Sequence, residues 1–215
     1  MENLRLLFQA PPLSLQLLLD GILIGAIFAL AAYGMALVWG VMGLINVAQG
    51  ELVMLGGYIA FYLYRAGIHP LFAVPVAAAL LVFLRRSRMG QAIRATAQNA
   101  RAARVMGIDT DRVYAWTFGL NAAICGASGA LVAMTWIVHP YLGLPYTVRS
   151  FMIVILAGLG NVFGVLAAAL GLGVAENFAG FVLGAEYQAA FIFGLLVVIL
   201  VWRRFSLARQ RRYLT

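Results

Sequence analysis

Apolar segments of bilayer-crossing length dominate this chain and dictate how it can fold. Leu15 to Gly40 exceeds the roughly 20 residues that a helix needs to cross the hydrocarbon core. Val113–Val138 and Val162–Val182 are comparable full spans. Further apolar segments lie at Val41–Tyr64, Leu71–Leu84, Thr147–Gly160 and Ala189–Trp202. "NVAQGE" interrupts the first of these, Pro75 falls within the second, and "GNVFG" interrupts the third. The expected fold is an all-α, polytopic transmembrane helical bundle of about six to seven membrane segments, forming a single domain over 1–215.

Composition agrees. The chain is 64% hydrophobic and 10% charged, with mean hydropathy +0.96, whereas soluble domains are nearer half apolar and a quarter charged. A net charge of +8 raises the question of nucleic acid. The basic residues sit at the ends of apolar runs, as membrane-flanking charges do, so no nucleic-acid partner is expected. A lone Cys125 inside an apolar run reads as a small buried hydrophobe. The N-terminal run resembles a signal peptide only superficially. Arg5 is offset by Glu2, and apolar character continues past "ALA" at 29–31 to Val41. Residues 1–12 read as a short tail before a retained first span.

All fifteen basic residues are Arg, and twelve fall in 85–112 and 203–212. The positive-inside bias places that loop and the tail 203–215 in the cytoplasm. An even number of crossings then separates them, which requires Thr147–Gly160 to cross fully.

No catalytic constellation is present. His69 and His139 precede prolines at loop positions, and no metal-ligand spacing occurs. Without lysine the chain has no phosphate-binding GK[ST] loop. It is expected not to be an enzyme and to bind no cofactor. Any ATP-driven work requires ATP on partner subunits.

Four features can carry function. In "INVAQGELVMLGGY", Asn46, Gln49 and Glu51 are polar groups at a hydrophobic segment, where such groups face a cavity, a partner or a pathway. Gly50 permits close packing. Glu51 reads equally well as a helix N-terminal charge. In "AGLGNVFG", with Gly158, Gly160 and Asn161, residues 158–162 repeat the pattern GLxNV of Gly43–Val47. Transporter repeats produce such matches, but in a chain this rich in Gly, Leu and Val chance is the better explanation of the match by itself. Glu176–Asn177 reads as a helix end, with "ENFAGFVLGAEYQ" as a loop-like segment. Finally, Gly90 and Gly107 bracket about four helical turns, with Arg94, Gln98, Arg101 and Arg104 on one face and Ala97 flanking it. Gly107 suits a helix C′ position, and Asp109 or Thr110 the N-cap of the next span. The segment reads as a docking helix or as an amphipathic helix lying on membrane lipid. Its mostly Ala apolar side would anchor weakly on lipid.

"GMALVWGVMGLINVAQGELVMLGGYIAFYL" resembles the N-terminal part of LivH-type permeases of branched-chain amino-acid ABC transporters. "RRSRMGQAIRATAQNARAARVMGIDTDRVYAWTFGLNAAICGASGAL" is similar to their cytoplasmic loop and next span. "PYLGLPYTVRSFMIVILAGLGNVFGVLAAALGLGVAE" is similar to their C-terminal third. The resemblance implies a bacterial inner-membrane permease subunit that imports branched-chain amino acids. Implied partners are two ABC ATPases, a LivM-type second permease and a periplasmic substrate-binding protein. Helix 90–107 would be the coupling helix, docking through Gly90, Arg94, Ala97, Arg101, Arg104, Gly107 and Asp109. Asn46, Gln49, Gly50 and Glu51, with Gly158, Gly160 and Asn161, would line the pathway. Two departures stand out. Gln49 occupies a place where the family often has His. "PLFAVPVAAALLVFLRRSRMG" joins directly two parts that the family separates by further spans, as if two helix fragments were fused. Urea, short amides or sugars are alternative substrates, and an inactive shortened paralogue acting as a membrane scaffold is the alternative from another class.

Overall fold

The computed structural model describes residues 11–158 and 161–211, and these form helices joined by short turns, with no strand among them. The described residues divide into two compact units, those within 26–169 and those of 11–25 with 170–211. In chain order the helices are α1 Pro11–Met42, α2 Gln49–Arg65, α3 Ala73–Arg86, α4 Arg88–Gln98, α5 Ala100–Val105, α6 Thr110–Thr135, α7 Gly143–Ala157, α8 Val162–Leu183 and α9 Gln188–Arg211. Among the described residues, four segments can cross a membrane by length and composition, Pro11–Met42, Thr110–Thr135, Pro140–Ala157 and Phe163–Leu183, or five with the bent pair α3–α4. The chain is thus an all-α polytopic membrane protein. The short segment Thr147–Gly160 gains length at its start, because the turn Pro140–Leu142 runs directly into α7.

In the larger unit, α2 packs most extensively on α6 and also lies on α7. Small residues make this possible. A side chain added at Gly56 would strike the backbone of Gly126, and one at Gly129 would strike the Val53 carbonyl. Lipid is as apolar as leucine, so helices in a membrane gain by close backbone approach rather than by escape from water.

α3 starts after a turn at Pro70–Phe72, and Pro75 sits in its first helical turn, where a missing N–H costs nothing. α3 is a continuous helix through Leu84 and Arg85, so no break marks the point where family spans are expected. At Ser87 the chain bends by 66° into α4. The Ser87 hydroxyl caps α4 by accepting from Gly90 N–H at 2.9 Å. Arg94 closes the elbow from below, its guanidinium donating to the Leu84 carbonyl at 2.5 Å and the Arg85 carbonyl at 3.2 Å. These carbonyls belong to the last turn of α3, which has no helical donors left for them.

The core beneath the elbow joins Val41, Leu84, Ile93, Val113, Leu120 and Ile124. Ile93 is 2% exposed, and Met89 packs partly buried against the same cluster, so the large apolar side chains of α4 are spent on their own bundle. Ile93→Ala is expected to lower stability by about 2–4 kcal/mol, read by thermal unfolding in detergent.

The expected single four-turn helix is instead two helices. Asn99 breaks it with φ −159° and ψ 100°, and its side chain caps α5 by accepting from Ala102 N–H at 3.0 Å. Asn competes with the backbone for hydrogen bonds, so it favours caps over helix interiors. The arginine face drawn across 94–104 therefore does not exist as one face. Gly90 likewise is no N-terminal bracket. It lies in the first turn of α4, where a side chain would collide with the Leu84 backbone.

In the smaller unit, Gly173 passes close to the backbone of Gly21 and Gly25, and Asn177 donates to the Leu17 carbonyl at 2.7 Å. Glu176–Asn177 is therefore no helix end. α8 continues to Leu183, and Glu176 is 6% exposed. Glycines let a neighbouring helix approach, and a carbonyl of that helix takes the Asn177 amide, so the polar pair is kept inside a helix.

Candidate functional site

The first candidate region follows α1. Met42 ends that helix, Gly43 turns the chain with φ +68°, and Asn46 accepts from Ala48 N–H at 3.1 Å before α2 begins at Gln49. Gln49 is fully buried, and its amide donates to the Ala31 carbonyl at 2.8 Å and to Cys125 Sγ at 2.8 Å. Cys125 in turn donates to Asn121 Oδ1 at 3.4 Å. Three helices, α1, α2 and α6, thus meet at one amide–thiol–amide chain inside apolar segments. Two polar atoms of this chain, Gln49 Oε1 and Asn121 Nδ2, are buried without a partner. Such orphans are costly and are kept where something else uses them.

Gly50 and Glu51 face a second set. Gly50 N–H donates to Thr147 Oγ1 at 2.9 Å, and Thr147 donates to the Val47 carbonyl at 3.2 Å. A side chain on Gly50 would strike the Gly143 carbonyl, and one on Gly143 would strike the Glu51 carboxylate. Glu51 is exposed in the first turn of α2, where a negative charge opposes the positive helix end.

Gly158 and Asn161 lie elsewhere. α7 starts at Gly143 and ends at Ala157, and at about 1.5 Å per residue it separates its two ends by about 20 Å. The 46–51 group is at the first end and Gly158 at the other, so the structure does not join the two groups. Gly160 lies outside the described residues. At their described residues the two GLxNV copies share a positive-φ glycine and a capping asparagine, although Asn46 caps two residues on and Asn161 three. Gly158 has φ +76°, matching Gly43, and Asn161 accepts from Gly164 N–H at 3.0 Å as Asn46 does from Ala48.

The basic segment is built as a braced turn. Gly107 has φ +85°, and Asp109 caps α6 by accepting from the N–H groups of Asp111 and Arg112, both at 3.1 Å. Arg104 reaches across this turn to Thr110 Oγ1 at 3.1 Å from Nε and 2.5 Å from Nη2, with Asp111 at 3.7 Å. Arg94 and Arg104 are thus occupied within the chain. Arg101 and Ala97 are exposed, and Arg101 makes none of these contacts. Val105 and Met106 beside them are 82% and 81% exposed.

Residue-by-residue reading missed Asn121, Cys125 as a hydrogen-bonding thiol, and Arg149. Arg149 stands in α7 with its guanidinium 5.1 Å from the Phe28 ring and 5.3 Å from the Tyr146 ring, a cation over two aromatic faces. The available signal was a polar residue in the middle of an apolar run, at Asn121 and at Arg149. Among the described residues no group of His, Cys, Asp and Glu is placed to hold a metal.

Residues 17–80 and 65–200 match the family described as the branched-chain amino acid transport system permease component. The chain is 38% identical over 124 residues to the high-affinity permease protein LivH of Salmonella typhimurium, covering 57% of this chain and 40% of that one. It is 24% identical to BraD of Pseudomonas aeruginosa over 287 positions, 88% of this chain and 94% of that protein. LivM of Escherichia coli is 32% identical over 124 residues, 56% of this chain and 28% of that protein. The LivH match spans less than half of LivH. The BraD alignment of 287 positions exceeds the 215 residues here by 72, so at least that many BraD positions face no residue of this chain. No solved structure matches this chain significantly. With the family match covering residues 17–200, the chain belongs to the family of branched-chain amino acid transport permease components.

Proposed function

We propose that this chain is a membrane-spanning subunit of an ATP-driven importer of branched-chain amino acids, with residues 87–112 as the cytoplasmic element that couples it to an ATPase. The remaining subunits are two ABC ATPases, a LivM-type second permease and a periplasmic substrate-binding protein, with the complex in the bacterial inner membrane. ATP binds to the ATPase subunits, and this chain holds no cofactor. The observation that carries the reading is the exposed tip of α5. Arg101, Val105 and Met106 project together from a segment rigidly joined to α6, outside any apolar span. Large apolar side chains exposed to water mark an interaction surface, and an exposed arginine beside them supplies charge-assisted contacts. With Ile93 buried in the bundle and Met89 packed partly buried against the same cluster, the large apolar residues of α4 are turned to the protein rather than to lipid.

Mechanically, movement of a docked ATPase pulls on α5. The Gly107 turn, tied by Arg104 to Thr110 and capped by Asp109, passes that movement to α6 without slack. α6 carries Asn121 and Cys125, so displacement at the turn reaches the buried amide chain with Gln49. Asn46, Gln49, Gly50 and Glu51 then belong to one end of the pathway, and Gly158, Gly160 and Asn161 to another.

Co-purification from cells expressing all subunits tests this. Arg101→Glu and Met106→Asp are each expected to weaken ATPase retention about tenfold or more while leaving the melting temperature of the isolated chain unchanged. Unchanged retention and unchanged substrate-stimulated ATP hydrolysis in both variants would sink the docking role. A second reading, a non-transporting membrane scaffold, is favoured by the 72 or more missing positions. It expects no ATPase retention and no uptake of leucine, urea, short amides or sugars.

A further inference from the structure

The larger unit contains a cavity of about 350 Å³ where α1, the α3–α4 elbow and the start of α8 meet. We propose that it binds one anionic phospholipid, with an acyl chain along α1 and the phosphate at Arg85 and Arg94. Apart from Asn161 and the Tyr33 hydroxyl, the inside is apolar. Tyr33, Leu37 and Val41 line it at four-residue spacing along one face of α1, with Ile93 and Val165 opposite. Its rim is cationic. Arg85 and Arg94 both belong to the lining, which contains no Asp or Glu. Arg94 spends one N–H of each Nη on the Leu84 and Arg85 carbonyls, which leaves three N–H donors and, among the described residues, an unneutralised charge. The Arg85 guanidinium is exposed and has no ion pair among the described residues.

An apolar slot ending in two uncompensated guanidinium groups fits a ligand that is apolar at one end and anionic at the other. Arg85 lies in the last turn of the apolar helix α3, and Arg94 reaches back from α4 to that same helix end. The end of an apolar membrane helix is the depth at which lipid phosphates lie, and basic pockets between membrane helices bind anionic headgroups in this way. A free amino acid fits poorly, because its ammonium would sit beside two cations with no carboxylate to receive it. The site stands whether or not the chain transports.

Native mass spectrometry of the detergent-purified full chain reads retained lipid directly. Phosphatidylglycerol, phosphatidylcholine, inorganic phosphate and leucine are offered in separate arms. Phosphatidylglycerol is expected to be retained about tenfold more tightly than phosphatidylcholine, and Arg85→Gln to remove that preference. Gly40→Phe is expected to abolish retention of both lipids. Gly40 lines the cavity, and a β-carbon built there meets nothing within 4 Å. Neither inorganic phosphate nor leucine is expected to displace the bound lipid. Equal retention of both lipids, an unchanged preference in Arg85→Gln, undiminished retention in Gly40→Phe, or displacement by phosphate or leucine would each overturn the proposal. If Gly40→Phe does not fold, Arg85→Gln decides alone, because its side chain holds no structural bond.

Discussion

Gly129→Ala is expected to lower the stability of the purified chain by about 1–3 kcal/mol, and Gly129→Val by more, with material lost as aggregate on size exclusion. The cause is geometric. A β-carbon at Gly129 would stand inside contact distance of the Val53 carbonyl and the Gly57 nitrogen, at 2.7 Å from the latter. These are backbone atoms, so no side-chain rotation relieves the clash, and α2 must move off α6. Gly126 supplies the control. It lies three residues earlier on the same helix, and a β-carbon there meets nothing within 4 Å. Gly126→Ala is therefore expected to be neutral or to stabilise by up to about 1 kcal/mol through helix propensity. Thermal unfolding of both variants in one detergent decides. If Gly126→Ala and Gly129→Ala melt alike, close approach is not what holds α2 to α6.

That contrast also shows where sequence reading stops. The segments were legible because apolar length and arginine position are one-dimensional signals. Gly107 and Asp109 were legible because a positive φ and an N-cap each demand a narrow set of residues at one position. Which glycine touches which helix is not such a signal, and Gly126 and Gly129 look identical in the string. The break at Asn99 escaped because the flanking alanines favour helix on both sides and the wheel assumed continuity. Glu176–Asn177 misled for the opposite reason. Polar residues between apolar runs read as a loop until the Leu17 carbonyl is seen to take the Asn177 amide. The amide–thiol chain was half legible. Gln49 stood out as polar at membrane depth, whereas its partners Asn121 and Cys125 lie more than 70 residues away, beyond any local pattern.

That same chain separates structure from transport. Gln49→Met keeps roughly the volume and apolar fit of the side chain and removes its amide. It forfeits the bonds to the Ala31 carbonyl and Cys125, each worth on the order of 1 kcal/mol, and it also removes the unpartnered Oε1, whose burial is itself costly. The two effects oppose, so Gln49→Met is expected to melt within about 1 kcal/mol of the parent. Gln49→Ala leaves a cavity as well and is expected to lose about 2–4 kcal/mol. If Oε1 and Asn121 Nδ2 serve a passing ligand, Gln49→Met cuts leucine uptake about tenfold or more in cells expressing the complete set of subunits, although the protein stays folded. If the amide only ties α1, α2 and α6 together, uptake follows stability, and Gln49→Met transports like the parent while Gln49→Ala does not. Asn121→Leu applies the same test from the other helix, because its Nδ2 is the second orphan. Loss of uptake with retained melting temperature at both positions is the outcome that a purely structural amide cannot produce.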